Sequence, residues 1–287
     1  MALGSRQSLA LAALLSGVAG CGSQAASPGP PIPGAKVAVV VLENHGPGAL
    51  LHRGWLATAA GSGAVATGAV GERHPAQPYF VMLSGSTRPL SDAAAVARPL
   101  PGRNLTDQLD ARDVPWKAYM DSMPSPCFAG AASGLYVKRH DPFLFLSDVV
   151  ANRRDCRSDV VPGSQLPTDL ARHRLPRFVW ITPNVCEDMH SCPVAAGERW
   201  MAAELPRIVR ELGSRGVLFV VGDELTPRGH GGGAIPLVAL GGAVRRGAVD
   251  RGRVDHRTLL ATIEDILGLG RLPTTRTSPT LRRMLRF

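Results

Sequence analysis

Lysine is almost missing from this chain: among its 32 basic residues only Lys36, Lys117 and Lys138 are lysines, so arginine carries most of the formal net charge of +9. That bias follows a GC-rich codon supply more readily than a nucleic-acid partner. The arginines are scattered along the sequence rather than gathered on one helix, which argues against a nucleic-acid-binding protein. A positive field of this kind still favours anionic substrates, with a sensitivity to salt. Also missing is any apolar run long enough to span a bilayer. The run from Leu9 to Leu15, preceded by Arg6, is too short for that and has the layout of a signal peptide over residues 1–20. Nothing in the composition points to disorder. With 287 residues at 45% apolar content the chain can enclose a large core, and a single domain is the default reading. It shows no internal repeat.

The cysteines lack the two-to-four-residue spacing of structural zinc sites. Cys21 stands apart in Val18-Ala19-Gly20-Cys21, which looks like the lipobox where a bacterial signal is cleaved and the new N-terminal cysteine is lipidated. An ordinary secretory signal that happens to contain a cysteine is the alternative, and on either reading the protein is exported. Residues 22–34, rich in Ser, Pro and Gly, cannot bury apolar area. Residues 21–35 are therefore read as a lipidated cysteine and tether, and 36–287 as the folded domain. Cys127, Cys156, Cys186 and Cys192 remain, an even number in an oxidising compartment. Three pairings are possible. The short interval between Cys186 and Cys192 favours that bridge, which leaves Cys127 with Cys156.

Valine- and isoleucine-rich runs at Val37–Leu42, Phe178–Ile181, Val217–Val221 and Ile235–Leu240 have the length and branching of buried strands. Helical patterns lie between and after them. Trp200–Leu212 presents an apolar face interrupted by Pro206. Asp255–Leu267 has Asp255 as its cap, a stripe from Leu259 to Leu267 and Gly268 as its stop. Strands alternating with helices predict an α/β layered sandwich around a mostly parallel central sheet.

In such sheets, functional groups gather at the carboxyl ends of the strands. Three predicted strands run into polar clusters: Glu43-Asn44-His45, Asn184 through Asp188 to His190, and Asp223-Glu224. Any one cluster could be an ordinary turn. Parallel strands would bring all three to one edge, where grouped carboxylates repel each other and lose hydration unless a cation neutralises them. A divalent ion so placed polarises a phosphoryl oxygen, and nearby histidines can donate to the phosphate or protonate a leaving oxygen. His45, His52 and His173 are assigned structural hydrogen bonding.

These residues carry a family resemblance. Leu42-Glu43-Asn44-His45, His74 to Tyr79 followed by Ser84-Gly85, Tyr136 with Lys138 to Phe143, Ile181 to Asn184 with Asp188-Met189-His190, Asp223-Glu224, and His256 with Thr262 to Asp265 occur in the order found in secreted acid phosphatases and phosphatidylinositol-phosphate phosphatases of the phosphoesterase family. The similarity covers about Lys36 to Leu269. It implies an alkaline-phosphatase-like α/β sandwich and hydrolysis of phosphate esters. Carried over residue by residue, Glu43, Asn44, Asp223, Glu224 and His256 match metal-holding positions, and Asn44, His140, Asp188 and His190 match the catalytic phosphate pocket. Oxygen ligands favour Mg, Ca or Mn. The implied partners are a phosphorylated small molecule or lipid headgroup, together with the membrane through Cys21.

One departure bears on mechanism. Where the family shows His-Pro-Ser-x-Pro-Asn-Tyr, this chain has Ala76 for the nucleophilic serine and lacks the asparagine before Tyr79. The primary expectation is an acid-phosphatase-like phosphomonoesterase in which water attacks phosphorus directly. The alternatives are a catalytically weak or inactive relative that binds metal and phosphorylated ligand, and a phospholipase C-like phosphodiesterase.

Overall fold

A computed structural model describes residues 1, 32–73, 76–88, 98–225 and 232–287. The predicted signal peptide, Cys21 and most of the tether lie outside the described residues, as do His74 and Pro75. Residues ahead of the predicted Lys36 also belong to the packed domain: Ile32 donates its N–H to Ile266 O at 3.1 Å and Ala35 is fully buried.

The strands are β1 (Lys36–Leu42), β2 (Ala64–Ala66), β3 (Trp116–Met120), β4 (Ala132–Ser133), β5 (Tyr136–Val137), β6 (Val160–Pro162), β7 (Phe178–Thr182), β8 (Gly216–Gly222), β9 (Leu237–Leu240) and β10 (Val249–Asp250). Eight of them form one sheet in the order β10-β2-β9-β8-β1-β7-β3-β6, while β4 and β5 make a separate hairpin. Only β9 runs against its neighbours; the other pairings are parallel. The fold is therefore the α/β sandwich with a mostly parallel sheet that the alternating pattern predicts. The fourth apolar run differs in detail, since its strand starts at Leu237, after Pro236, and is the antiparallel member.

Buried on both faces, the central strands read as unbroken apolar runs. In β1, Val37, Val39 and Val41 enter one core with the helices Pro78–Ser84 and His256–Leu267. Ala38, Val40 and Leu42 enter the other with Trp55–Ser62 and Val194–Leu212. The last of these helices begins at Val194 rather than Trp200 and carries Pro206 within it. Its Gly197 lets Met189 pack close, for a Cβ there would stand 2.6 Å from Met189 Cγ. Both predicted disulfides are present, Cys127–Cys156 and Cys186–Cys192, with Cα separations of 5.5 and 4.6 Å.

The Thr262 to Asp265 motif is architectural. Fully buried Glu264 accepts hydrogen bonds from Gln108 Nε2 (3.0 Å), Leu272 N (2.8 Å) and Thr275 Oγ1 (2.6 Å). Neighbouring Asp265 pairs with both Nε and Nη2 of Arg271, at 2.8 and 3.0 Å. Together they lash the C-terminal segment to the helix. Glu264→Ala strands several buried donors at once and should cost on the order of 3 kcal/mol, with Glu264→Gln milder. A thermal melt should read a drop of roughly 6–12 °C for the alanine variant; an unchanged midpoint would contradict this role.

Candidate active site

Because β8, β1 and β7 lie side by side and parallel, their carboxyl ends open at one edge of the sheet. Glu43-Asn44, Asp223-Glu224 and His190 meet there in a cavity of about 90 Å³ that Tyr79, Arg139 and His140 also line. Asn44 adopts a left-handed backbone (φ 62°), a conformation asparagine tolerates better than most residues. The turn aims its N–H at Asp223 Oδ1 (3.0 Å), while its side-chain amide donates to Glu43 Oε2 (3.3 Å).

Glu43 and Asp223 are each 4% exposed and line the same cavity. Burial raises the pKa of both carboxyls; for Asp223, held well above the ordinary value, the negative charge of Glu43 adds to the effect. Tyr79 donates its hydroxyl to Glu43 Oε1 at 2.7 Å. Its phenol, pushed well up by burial and by Glu43, stays protonated and remains a donor.

His140 stacks on the Tyr79 ring with centroids 5.4 Å apart. Its Nδ1 lies 2.9 Å from Asp188 Oδ2 and its Nε2 3.3 Å from Glu43 Oε1. Asp188 is fully buried, and burial raises its carboxyl to about 7. Its other oxygen accepts the His190 N–H at 2.7 Å, and its carbonyl accepts the Glu43 N–H at 2.9 Å, so this loop is stitched to the end of β1. Asn184 Oδ1 receives the N–H groups of Cys186 (3.0 Å) and Glu187 (3.2 Å), and the Cys186–Cys192 bridge closes the same loop. The positions of Asp188 and His190 are thus fixed from three sides.

The proton on His190 can be placed by elimination. A guanidinium only donates, and Arg139 Nη2 sits 2.8 Å from His190 Nε2, so Nε2 accepts and the ring hydrogen is on Nδ1. That nitrogen faces Ser191 Oγ at 3.0 Å.

Several predicted site residues converge: Glu43, Asn44, His140, His190, Asp223 and Glu224 line the cavity, and Asp188 stands behind His140. His256 is not among the residues that line this cavity; its ring is fully buried and faces Gly222 O (2.9 Å) from Nε2 and Glu72 Oε1 (3.7 Å) from Nδ1. It opens the helix capped by Asp255, and that helix packs its first turn beneath the end of β8. His45 makes the structural bond expected of it, from Nδ1 to Glu43 O at 2.9 Å, and His173 engages Glu211 at the surface. Tyr79 and Arg139 carry roles that the sequence reading did not assign, although both lie inside the quoted motifs.

The donor set suits a cation. Glu43, His140 and His190 bring a carboxylate oxygen and ring nitrogens within 4.8 Å of one another, and an ion there would take the His190 Nε2 lone pair from Arg139; the buried Asp223 lines the same cavity as Glu43. The charge of Glu43 raises the pKa of the buried Asp223, and that repulsion is lost when a divalent ion neutralises the two carboxylates.

Comparison with known proteins agrees with this geometry. The chain is 27% identical to a phosphatidylinositol-3-phosphatase of Mycobacterium tuberculosis over 82% of its own length and 77% of that protein. It is 26% identical to a probable acid phosphatase of Kluyveromyces lactis over 69% of its length, spanning half of that relative. A solved structure of an alkaline phosphatase superfamily protein from Vibrio parahaemolyticus shares the fold, with a TM-score of 0.55 at 12% identity over 86% of this chain and 70% of that one. The profile of the Phosphoesterase family matches residues 53–270, and the chain belongs to that family of hydrolases acting on phosphoester bonds.

Proposed function

We propose that this protein is an exported, metal-dependent phosphomonoesterase of the acid-phosphatase type. The observation that carries the reading is the buried Glu43–Asp223 pair, opening into a cavity that also presents Arg139, His140 and His190. Bare carboxylates would repel a phosphate, whereas the same carboxylates around a cation attract one. Glu43, Asp223 and Glu224, with Asn44, would hold the ion, and Mg, Ca or Mn suits their oxygens. When bound, such an ion supplies Lewis-acid polarisation of a phosphoryl oxygen and a more acidic water.

The chain's own groups complete the chemistry. Arg139 offers positive charge to the phosphoryl oxygens and keeps His190 in the tautomer whose proton is on Nδ1. His140, oriented by Asp188 through Nδ1, has an Nε2 that accepts from Arg139 Nε at 3.4 Å and lies 3.3 Å from Glu43 Oε1, and a proton taken up at that nitrogen would be placed to pass to the leaving oxygen. Ala76 offers no hydroxyl, so attack on phosphorus falls to water. The names of the relatives suggest a phosphorylated small molecule or a lipid headgroup as substrate.

A second reading has its own support. Ala76 borders the neighbouring cavity rather than the Glu43 cavity, which suits a protein that binds metal and phosphorylated ligand without turning it over. The deciding experiment measures product release from 4-nitrophenyl phosphate and bis(4-nitrophenyl) phosphate, with and without a chelator. Monoester hydrolysis that chelation abolishes and metal restores is the expected result. Diester hydrolysis alone would make the protein a phosphodiesterase, and metal binding with no turnover would favour the binding reading.

Attachment to the membrane rests on the lipobox-like Val18 to Cys21. Two acyl chains on one cysteine anchor stably, unlike a signal that is simply removed. Cys21→Ser should shift the protein from the membrane fraction to the medium or block its processing. A wild-type protein already wholly in the medium would end the idea.

A further inference from the structure

Beside the acidic cavity lies a larger one, of about 480 Å³, walled by Gly71, Glu72, Arg73, Ala76, Arg253 and Arg257, with Asp255 at its edge. The two share a wall. A Cβ on Gly71 would come within 2.8 Å of Asp223 O and 2.9 Å of Glu224 Cα, and the adjacent residues Ala76 and Gln77 line one cavity each. Three arginines and two acidic residues line the larger space, and only Asp255 of the two acids is set against one of those arginines. Asp255 Oδ1 accepts the Thr258 N–H at 2.9 Å as the helix cap, and its Oδ2 lies 3.9 Å from Arg257. Glu72 Oε1 lies 3.7 Å from His256 Nδ1, and among the described residues neither atom has a hydrogen-bond partner. His256 Nε2 must carry a hydrogen, because its partner, Gly222 O, can only accept. Among the described residues neither Arg73 nor Arg253 is paired with a carboxylate, and both are exposed. With Arg257 set against Asp255, the two remaining guanidinium groups outnumber the one remaining carboxylate, Glu72, and leave the cavity net positive, in the planar, forked form that binds carboxylate and phosphate oxygens in pairs.

We propose that this arginine-lined cavity is a second anion subsite, which holds another carboxylate or phosphate of the same molecule whose phosphoryl group sits in the acidic cavity. It rests on the phosphomonoesterase reading and narrows it: the preferred substrates are small phosphomonoesters bearing a second anionic group a few bonds away, rather than aryl phosphates whose phosphoryl group is their only anionic group.

Non-hydrolysable ligands test this without turnover. Calorimetry with the metal-loaded full-length protein should show 4-phosphonobutyrate binding at least about tenfold more tightly than butylphosphonate, as expected for a charge-assisted contact. The double variant Arg73→Ala/Arg253→Ala should erase that difference and leave the affinity for butylphosphonate as it was. The matching double lysine variant should keep part of it, and serves as the control if the alanine pair fails to fold. Equal affinities of wild type for the two ligands, or a difference that survives the alanine pair, would overturn the subsite. The phosphomonoesterase reading fails separately, by absence of phosphate release from 4-nitrophenyl phosphate, and that result would leave a calorimetric difference in place.

Discussion

Asp223→Ala should abolish binding of the divalent ion and lower phosphate release by about a thousandfold, the scale set by losing several kcal/mol of charge stabilisation. The size of the effect comes from what one carboxylate holds together. Asp223 sits close enough to Glu43 to feel its charge and accepts the N–H of Asn44 at 3.0 Å, which fixes the left-handed turn at the end of β1. Removing it takes away a ligand and frees the backbone that aims two others. Stability should respond differently. The alanine variant loses the acceptor for a buried N–H, worth about 1–3 kcal/mol, but is relieved of a carboxylate whose ionisation burial and Glu43 oppose. Asp223→Asn keeps an acceptor for Asn44 and removes the repulsion, so without metal it should melt no lower than wild type while still failing to load the ion. Metal content and phosphate release, measured side by side on the three proteins, check this. Equal metal in wild type and the alanine variant would refute the assignment of Asp223 as a ligand.

How far such a site can be read from sequence depends on which interactions are local. The buried strands β1, β7 and β8 announce themselves because an unbroken β-branched run has few other destinations. Once they are parallel, the clusters at their ends must share an edge, so Glu43, Asn44, Asp188, His190, Asp223 and Glu224 were legible together. β3 was not, for Trp116–Met120 contains Lys117 and becomes a strand only by pairing with β7 on one side and β6 on the other. Tyr79 sits on a helix buried all round and reads as core, although its hydroxyl ends on Glu43. The partnership of His140 with Asp188 spans 48 residues and has no local signature beyond the family motif. His256 shows the converse limit: its motif marks a functional region, but the direction of the ring is set by how the first turn of its helix meets β8. Glu264 likewise stands in a family motif and spends its carboxylate on holding the C-terminal segment.

Ala76→Ser should raise phosphomonoester turnover by about tenfold or more and make labelled phosphate trappable on the new hydroxyl, since a positioned nucleophile divides one difficult displacement into two easier ones. The side chain has room: Ala76 is 6% exposed but borders the 480 Å³ cavity, so one added oxygen meets open space rather than packed atoms. The local turn is well supported. Gln77 caps the following helix by accepting the Phe80 N–H at 2.7 Å, and its amide donates to Arg139 O at 3.2 Å. That same support sets the difficulty, because it turns Gln77 rather than residue 76 toward the carboxylates, as the family asparagine missing before Tyr79 would lead one to expect. A second variant, in which asparagine is also inserted between Pro78 and Tyr79, should therefore gain more than the serine alone. The measurements are phosphate release and acid-stable labelling, made on protein shown to be folded and metal-loaded. If both variants stay at background, residue 76 does not face phosphorus, and a protein that binds phosphorylated ligand without cleaving it becomes the better account of the Glu43–Asp223 site.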